Sequence, residues 1–289
     1  MNKRAEQGNA RKLDQFYTDP QYASEFLEKI KTLVAWQEFD CQLEPSAGAG
    51  AFYSLLDPHL RIGLDLEPQC SGVLTQDFLQ WTPPLHCKNI ITLGNPPFGK
   101  NSSLAVHFFN RAARFSKVIA FILPRTFRKA SVENRLDSQF HLVWDATVPD
   151  SSFVYLGKSY SVPTTAQVWV KRSQPRARRS VLKLTQFDTW FELVEPQHSD
   201  FAIQRVGVRA GRIRIQDRLE FSPESHWFIR AHDPRVLGVF QSCDWDSVKW
   251  NTAGNPSISP GELAELWIQA SARQGIHITQ KSDSELFLW

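Results

Sequence analysis

Two rhythms of apolar positions organise the first 172 residues. From Pro20 the side chains Tyr22, Ala23, Phe26, Leu27 and Ile30 recur at three- and four-residue spacing, which predicts an amphipathic helix. Short, unbroken apolar runs follow. Cys41–Leu43 predicts a strand that runs into EPSAGAGAF, with a helix expected over Ala51–Leu56. RIGLDLE (61–67) reads as a second strand ending in acids, and Ile90–Leu93 as a buried strand stopped by a Gly-Asn-Pro-Pro turn. Ser102 or Ser103 is placed to cap a helix over 104–115. KVIAFILP (117–124) predicts a strand broken by its proline, and AQVWVKR (166–172) the last strand of the series. Strand and helix signals in alternation predict an α/β domain with a mostly parallel sheet.

The pattern changes at KRSQPRARRS (171–180), which reads as a linker or basic hinge. Beyond it, FAIQRVGV and RIRIQDRLEF predict two strands around Arg209-Ala210-Gly211, and Ser259-Pro260 opens a short helix over 260–271 with Glu262 near its start. The expected organisation is a mobile arm over 1–14, an α/β domain over 15–172, and a basic hinge with a smaller strand-rich region over 173–289.

Composition narrows the class. Of 289 residues, 42% are apolar and 22% charged, which is globular rather than disordered. The longest apolar runs, such as Val118–Leu123, fall far short of the roughly 20 residues of a membrane helix. The polar N-terminus, without an apolar stretch, predicts no secretory signal. Four scattered cysteines with no Cys/His cluster predict neither a disulfide framework nor a metal site, so a cytoplasmic, reduced protein is expected. The net charge of +3 is unevenly spread: residues 171–218 carry eleven basic and five acidic side chains. Such a segment either attracts a polyanion or serves as a solvated linker.

Two segments carry candidate chemistry. Glu44-Pro45-Ser46-Ala47-Gly48-Ala49-Gly50 lies after a strand, where glycines let the backbone turn tightly and approach a ligand. Asp65 ends the next strand, where an α/β fold places a carboxylate against ribose hydroxyls. The pair points to a nucleoside-containing cofactor; the missing third glycine counts against a dinucleotide. Asn95-Pro96-Pro97-Phe98 follows the strand Ile90–Leu93. Gly94–Lys100 also fits part of a phosphate-binding loop, but Asn101 replaces the magnesium-binding Ser or Thr, and two prolines remove N–H groups that would cradle phosphate.

In these motifs and their order the chain resembles the S-adenosylmethionine-dependent N6-adenine methyltransferases of the gamma class, over residues 15–172. Gln15-Phe16-Tyr17-Thr18-Asp19-Pro20 resembles the family's N-terminal motif, which contacts the methionine end of the cofactor. Glu44, Ser46, Gly48 and Gly50 match the glycine-rich motif, beginning with Glu where many relatives have Asp. Asp65 matches the ribose-binding acid, and Asp77-Phe78 the motif that bonds and covers the cofactor's adenine, with Leu66 and Phe52 as other candidates for the cover. Asn95–Phe98 matches the catalytic (N/D)PP(Y/F) tetrad.

The resemblance implies a Rossmann-like methyltransferase domain, a target-recognition domain with the basic hinge over 173–289, S-adenosylmethionine as cofactor and a nucleic acid as partner, with DNA ahead of RNA. It implies that the Asn95 side chain and the Pro96 carbonyl accept the N6 hydrogens of an extruded adenine, while Phe98 offers a stacking face. Lys100, Arg125, Arg176, Arg178 and Arg179 are candidates for nucleic-acid contact. So are Arg212, Arg214 and Arg218, which share one face if their strand is regular. The other readings are an RNA adenosine methyltransferase, including a cap-adjacent type; a glutamine methyltransferase acting on protein; and a non-catalytic nucleic-acid-binding module on the same fold.

Overall fold

A computed structural model describes residues 17–155, 158–252 and 254–278. The expected arm 1–14 and the motif residues Gln15 and Phe16 lie outside the described residues. The chain divides into two compact units, one running to Arg179 and the second from Ser180. No helix among the described residues is long and apolar enough to cross a membrane.

The first unit is a Rossmann-like α/β fold. Helix α1 (Pro20–Leu33) starts where expected: the Asp19 carboxylate accepts from the N–H groups of Gln21 and Tyr22, and Pro20 occupies the first turn, where no amide is needed. Its strands are β2 (Cys41–Glu44), β3 (Arg61–Asp65), β4 (Leu74–Thr75), β5 (Ile90–Gly94), β6 (Ser116–Pro124), β7 (Phe140–Thr147) and β10 (Thr164–Lys171), after the short β1 (Tyr17–Thr18). They form one seven-stranded sheet in the order β4-β3-β2-β5-β6-β10-β7. The pairs from β4 to β6 are parallel; β10 runs antiparallel to both β6 and β7. The chain builds outward from β2 and then returns to β5 at its other side, so a topological switch point lies between β2 and β5. Ligands bind outside the carboxyl ends of strands at such a point.

Strand β6 shows how sequence alternation builds two buried layers. Val118, Ala120 and Ile122 pack with Phe26, Leu27 and Ile30 of α1. Ile119, Phe121 and Leu123 face the other way, into a core with Phe109 of helix α2 (Ser103–Ala113). A second small sheet pairs β1 with β8 (Phe153–Tyr155) and β8 with β9 (Lys158–Tyr160), setting Thr18 opposite Phe153.

Three local expectations are corrected. Ala51–Leu56 forms only a 3-10 turn over Tyr53–Leu55, because the segment is short and Asp57-Pro58 stops it. Neither serine caps α2 by its side chain: the Ser102 hydroxyl instead meets that of Thr126 at 2.6 Å. The segment 171–179 is not a free hinge. Arg172 and Arg176 bond through their backbone N–H groups to the carbonyls of Gln139 and Ser138, which straps the run onto the first unit.

The second unit holds an antiparallel sheet in the order β11-β14-β12-β13, made of β11 (Phe191–Leu193), β12 (Phe201–Gln204), β13 (Ile213–Arg214) and β14 (His226–Ala231). Helix α6 (Pro260–Arg273), the last after α3 (Ala130–Glu133), α4 (Val236–Gln241) and α5 (Asp246–Lys249), packs Trp267 against Phe191 and Phe240 with ring centroids 5.0 Å apart in both pairs. Its start is a reciprocal cap: Ser259 accepts from the Glu262 N–H while the Glu262 carboxylate accepts from the Ser259 N–H.

Candidate active site

A cavity of about 470 Å³ opens at the switch point, within the size range of small-molecule sites. One wall is the loop after β2, where Glu44, Ser46 and Gly48 line it; the loop after β5 supplies Asn95 and Pro97. The two loops are joined directly, since the Ser46 hydroxyl donates to the Asn95 carbonyl at 3.1 Å.

Gly48 is needed for two reasons. Its φ is +50°, in the left-handed region, and a Cβ there would stand 2.8 Å from the Tyr17 ring. The ring lies over the loop because the Tyr17 hydroxyl accepts from the Gln69 amide at 2.8 Å. Asp65 then ties β3 to the loop: one oxygen accepts the Gly48 N–H at 2.7 Å, the other the Glu67 N–H at 2.8 Å. Each carboxylate oxygen retains capacity for a second donor. Asp77 caps its own turn, accepting from the Leu79 N–H and the Gln80 amide.

Two polar atoms in the wall are buried without a hydrogen-bond partner, Thr18 Oγ1 and Glu44 Oε2. Such atoms are rare in folded proteins and point to a ligand that supplies donors. Glu44 is 2% exposed. Burial pushes its carboxyl well above the usual range, a hydrogen bond from the Tyr53 backbone opposes this, and the nearby Asp65 charge adds to the rise. The apolar part of the wall comes from Leu66, Phe78, Leu79, Leu104 and Phe108. Phe78 is 1% exposed and packs on Phe108 at 5.1 Å. Leu66 is exposed, whereas Phe52 lies in the core against Phe26, away from the cavity. The set of acceptors and apolar walls therefore suits a ligand with a cationic end, ribose-like hydroxyls and a flat apolar ring.

Other expected site residues fall elsewhere. Pro20 begins α1 and Gly50 backs the turn against Cys70, neither lining the cavity. Pro96 is buried and Phe98 half-buried beside the lining residues, with the Phe98 carbonyl accepting from the Ala105 N–H. Lys100 is exposed. Arg125 is half-buried at the end of β6, donating to the Thr164 carbonyl at 3.3 Å.

The basic candidates divide sharply. The Arg176 side chain is 9% exposed, donates to the carbonyls of Glu133 and Leu136, and lies over the Trp169 ring. Arg179 donates to the Arg128 carbonyl and pairs with Glu133 at 3.0 Å, while Arg178 is exposed. Arg212, Arg214 and Arg218 do not share a strand face, because β13 ends at Arg214. Asp217 turns the chain there by pairing with Arg214, and Arg218 bonds to the carbonyls of Ser199 and Ile215.

Gln69, Gln76, Leu104 and Phe108 also line the cavity, unforeseen from sequence. Leu104 and Phe108 lie one turn apart on α2, a spacing that could have marked them as one face.

No protein-family model matches the chain, and no curated protein matches it. Among solved structures, a provisionally assigned RNA methyltransferase from Pyrococcus horikoshii is 20% identical with a TM-score of 0.43, over 55% of this chain and 88% of that one. The 23S rRNA methyltransferase ErmE is 14% identical with a TM-score of 0.39, over 89% of this chain and 100% of that one. The N-methyltransferase NodS from Bradyrhizobium japonicum WM9, in complex with S-adenosyl-L-homocysteine, is 14% identical with a TM-score of 0.38, over 53% of this chain and 87% of that one. All three scores lie below 0.5, so these likenesses carry no functional weight.

Proposed function

We propose that the chain transfers a methyl group from S-adenosylmethionine to the N6 amine of adenine in DNA. One observation carries this: Asn95 and Pro97, from the tetrad that matches the family's catalytic motif, line the same cavity as Gly48, Asp65 and Asp77, from its cofactor motifs. The cofactor fits the wall as built. Thr18 and Glu44 would hold its methionine end, Asp65 its ribose hydroxyls, and Leu66, Phe78 and Phe108 its adenine. It supplies a methyl group already activated on a sulfonium sulfur.

The residues of the chain handle the acceptor. An exocyclic adenine amine is a weak nucleophile because its lone pair is delocalised into the ring. The Asn95 side-chain carbonyl and the Pro96 main-chain carbonyl accept its two hydrogens and favour tetrahedral nitrogen, stabilising the positive charge that grows there. Two prolines and the Ser46 hydrogen bond hold this loop in place, so little reorganisation is needed. The Phe98 ring stacks on the extruded base, worth about 1–3 kcal/mol against a flipping cost of similar size.

The test is Asn95→Ala in the full chain. Calorimetric affinity for S-adenosylmethionine should stay within a few-fold, while single-turnover methylation of duplex DNA should fall by about a hundredfold to a thousandfold, as on removing one donor from an oxyanion hole. A near wild-type rate would show that Asn95–Phe98 is only a turn.

A further inference from the structure

The second unit carries eight arginines within its described residues, and their surroundings separate them. Five are engaged internally: Arg214 with Asp217, Arg230 with Glu192, Arg235 with Asp233, and Arg218 and Arg273 with backbone carbonyls. The other three, Arg205, Arg209 and Arg212, are exposed and have no ion pair among the described residues, Arg205 lying over the Trp227 ring. All three lie on the connection between β12 and β13.

That connection is a braced tip. The Gly211 N–H donates to the Gln204 carbonyl and the Gln204 N–H to that of Arg212, which closes its base. Ala210 is buried, and Gly211, with φ of +95°, sits so tightly on Trp245 that a Cβ would come within 2.3 Å of the indole. A neighbouring turn clamps the other side: the Gly207 N–H donates to the Pro256 carbonyl, the Ile258 N–H to that of Arg205, and Val206 bridges Ser257. Val208 stands 68% exposed between the arginines.

The segments 204–212 and 249–258 contain four cations and no acid. The acids near them, Asp217 and Asp246, already pair with Arg214 and Lys249. Asp244, next to Trp245, leaves the local balance positive. Three exposed guanidinium groups with no acid partner among the described residues, on a braced tip with an apolar apex, make a local positive surface that attracts a polyanion. Their chemistry fits phosphodiester oxygens, with the apex free to enter a groove.

We propose that the tip 205–212 is a docking surface for duplex DNA, with Arg205, Arg209 and Arg212 on backbone phosphates; this rests on the DNA-methylation reading above. It also moves the positive contact away from the basic run 171–180, whose Arg176 and Arg179 are occupied internally.

The experiment compares the full wild-type chain with an Arg205→Gln/Arg209→Gln/Arg212→Gln variant and an Arg230→Gln/Arg235→Gln control, titrating a duplex DNA across salt concentrations. Between roughly 50 and 200 mM salt each lost phosphate contact removes about 3.5-fold from the affinity ratio, so three remove about fortyfold. The expected result is that loss in the triple variant, an unchanged slope in the control, and unchanged S-adenosylmethionine affinity in both. A triple variant with the wild-type slope overturns the docking surface and leaves the methylation reading standing. Wild-type protein that binds no duplex DNA overturns both. A slope lost on RNA but not on DNA overturns the proposed occupant.

Discussion

Replacing Glu44 with Gln separates two consequences of a buried carboxyl. Glu44 stands at the end of β2, 2% exposed, with Oε2 unpartnered in the cavity wall. Burial raises its pKa well above the usual carboxylate range, and the Asp65 charge adds to this while the Tyr53 N–H opposes it. The folded chain therefore holds a proton that the unfolded chain releases at a lower pH. The sign follows by linkage. Stability from this group is full below the unfolded value of about 4.3 and declines as pH rises towards the folded value, at about 1.4 kcal/mol per pH unit inside that window. Glu44→Gln removes that slope. For a unit of this size, 1 kcal/mol moves Tm by about 2–4 °C. Melting curves of the ligand-free chain taken from pH 5 upward should show the variant gaining on wild type with each step, until Glu44 ionises. With S-adenosylmethionine the order reverses. A cationic ligand favours the ionised carboxylate, so binding to wild type releases a proton and tightens as pH rises. The variant binds about tenfold to a hundredfold more weakly, the cost of a charged hydrogen bond. Parallel melting curves at every pH, or no difference in proton release between buffers of different ionisation enthalpy, would refute the reasoning.

Three further predictions use other parts of the site. Gly48→Ala forces a left-handed residue, at about 1–2 kcal/mol, and drives a methyl into the Tyr17 ring; cofactor affinity measured by calorimetry should fall at least about tenfold, and unchanged affinity would deny the loop its role. Arg176→Gln should lower stability by about 2 kcal/mol in denaturant unfolding, because two carbonyls lose their donor, while the salt dependence of DNA binding stays that of wild type. Phe98→Ala should raise KM for DNA and lower kcat as the base sits loosely, whereas Phe98→Tyr keeps substantial activity; equal steady-state kinetics for all three proteins would remove the stacking role.

The fold was legible wherever one local rule dominated. Helix α1 shows its apolar stripe and its Asp19-Pro20 start, and β5 and β6 are unbroken apolar runs. Strand β7 carries no clear local signal because it is an edge strand: Leu142 and Val143 are exposed and Asp145 faces Arg128, so no clean alternation marks it. The antiparallel insertion of β10 between β6 and β7 is a matter of tertiary pairing that no local pattern encodes. In the site, Gly48 and Asp65 stand out because turn geometry and strand-end chemistry favour those residue types, whereas Asn95 stands out only through the family motif that it matches. Leu104 and Phe108 look like ordinary helix residues until the fold turns one face to the cavity. In the basic run 171–180 the opposite holds: charge is visible in sequence, but the carbonyls and Glu133 that engage Arg176 and Arg179 are not.

The central claim is tested most directly by nucleoside analysis. The full chain is incubated with S-adenosylmethionine carrying a tritiated methyl group and with duplex DNA, single-stranded DNA and RNA in parallel, and each product is digested to nucleosides. The account predicts label in N6-methyldeoxyadenosine from duplex DNA, and its loss in Asn95→Ala protein that still binds the cofactor. Label confined to N6-methyladenosine from RNA would contradict the DNA assignment, and no label in any adenine nucleoside would contradict the account as a whole.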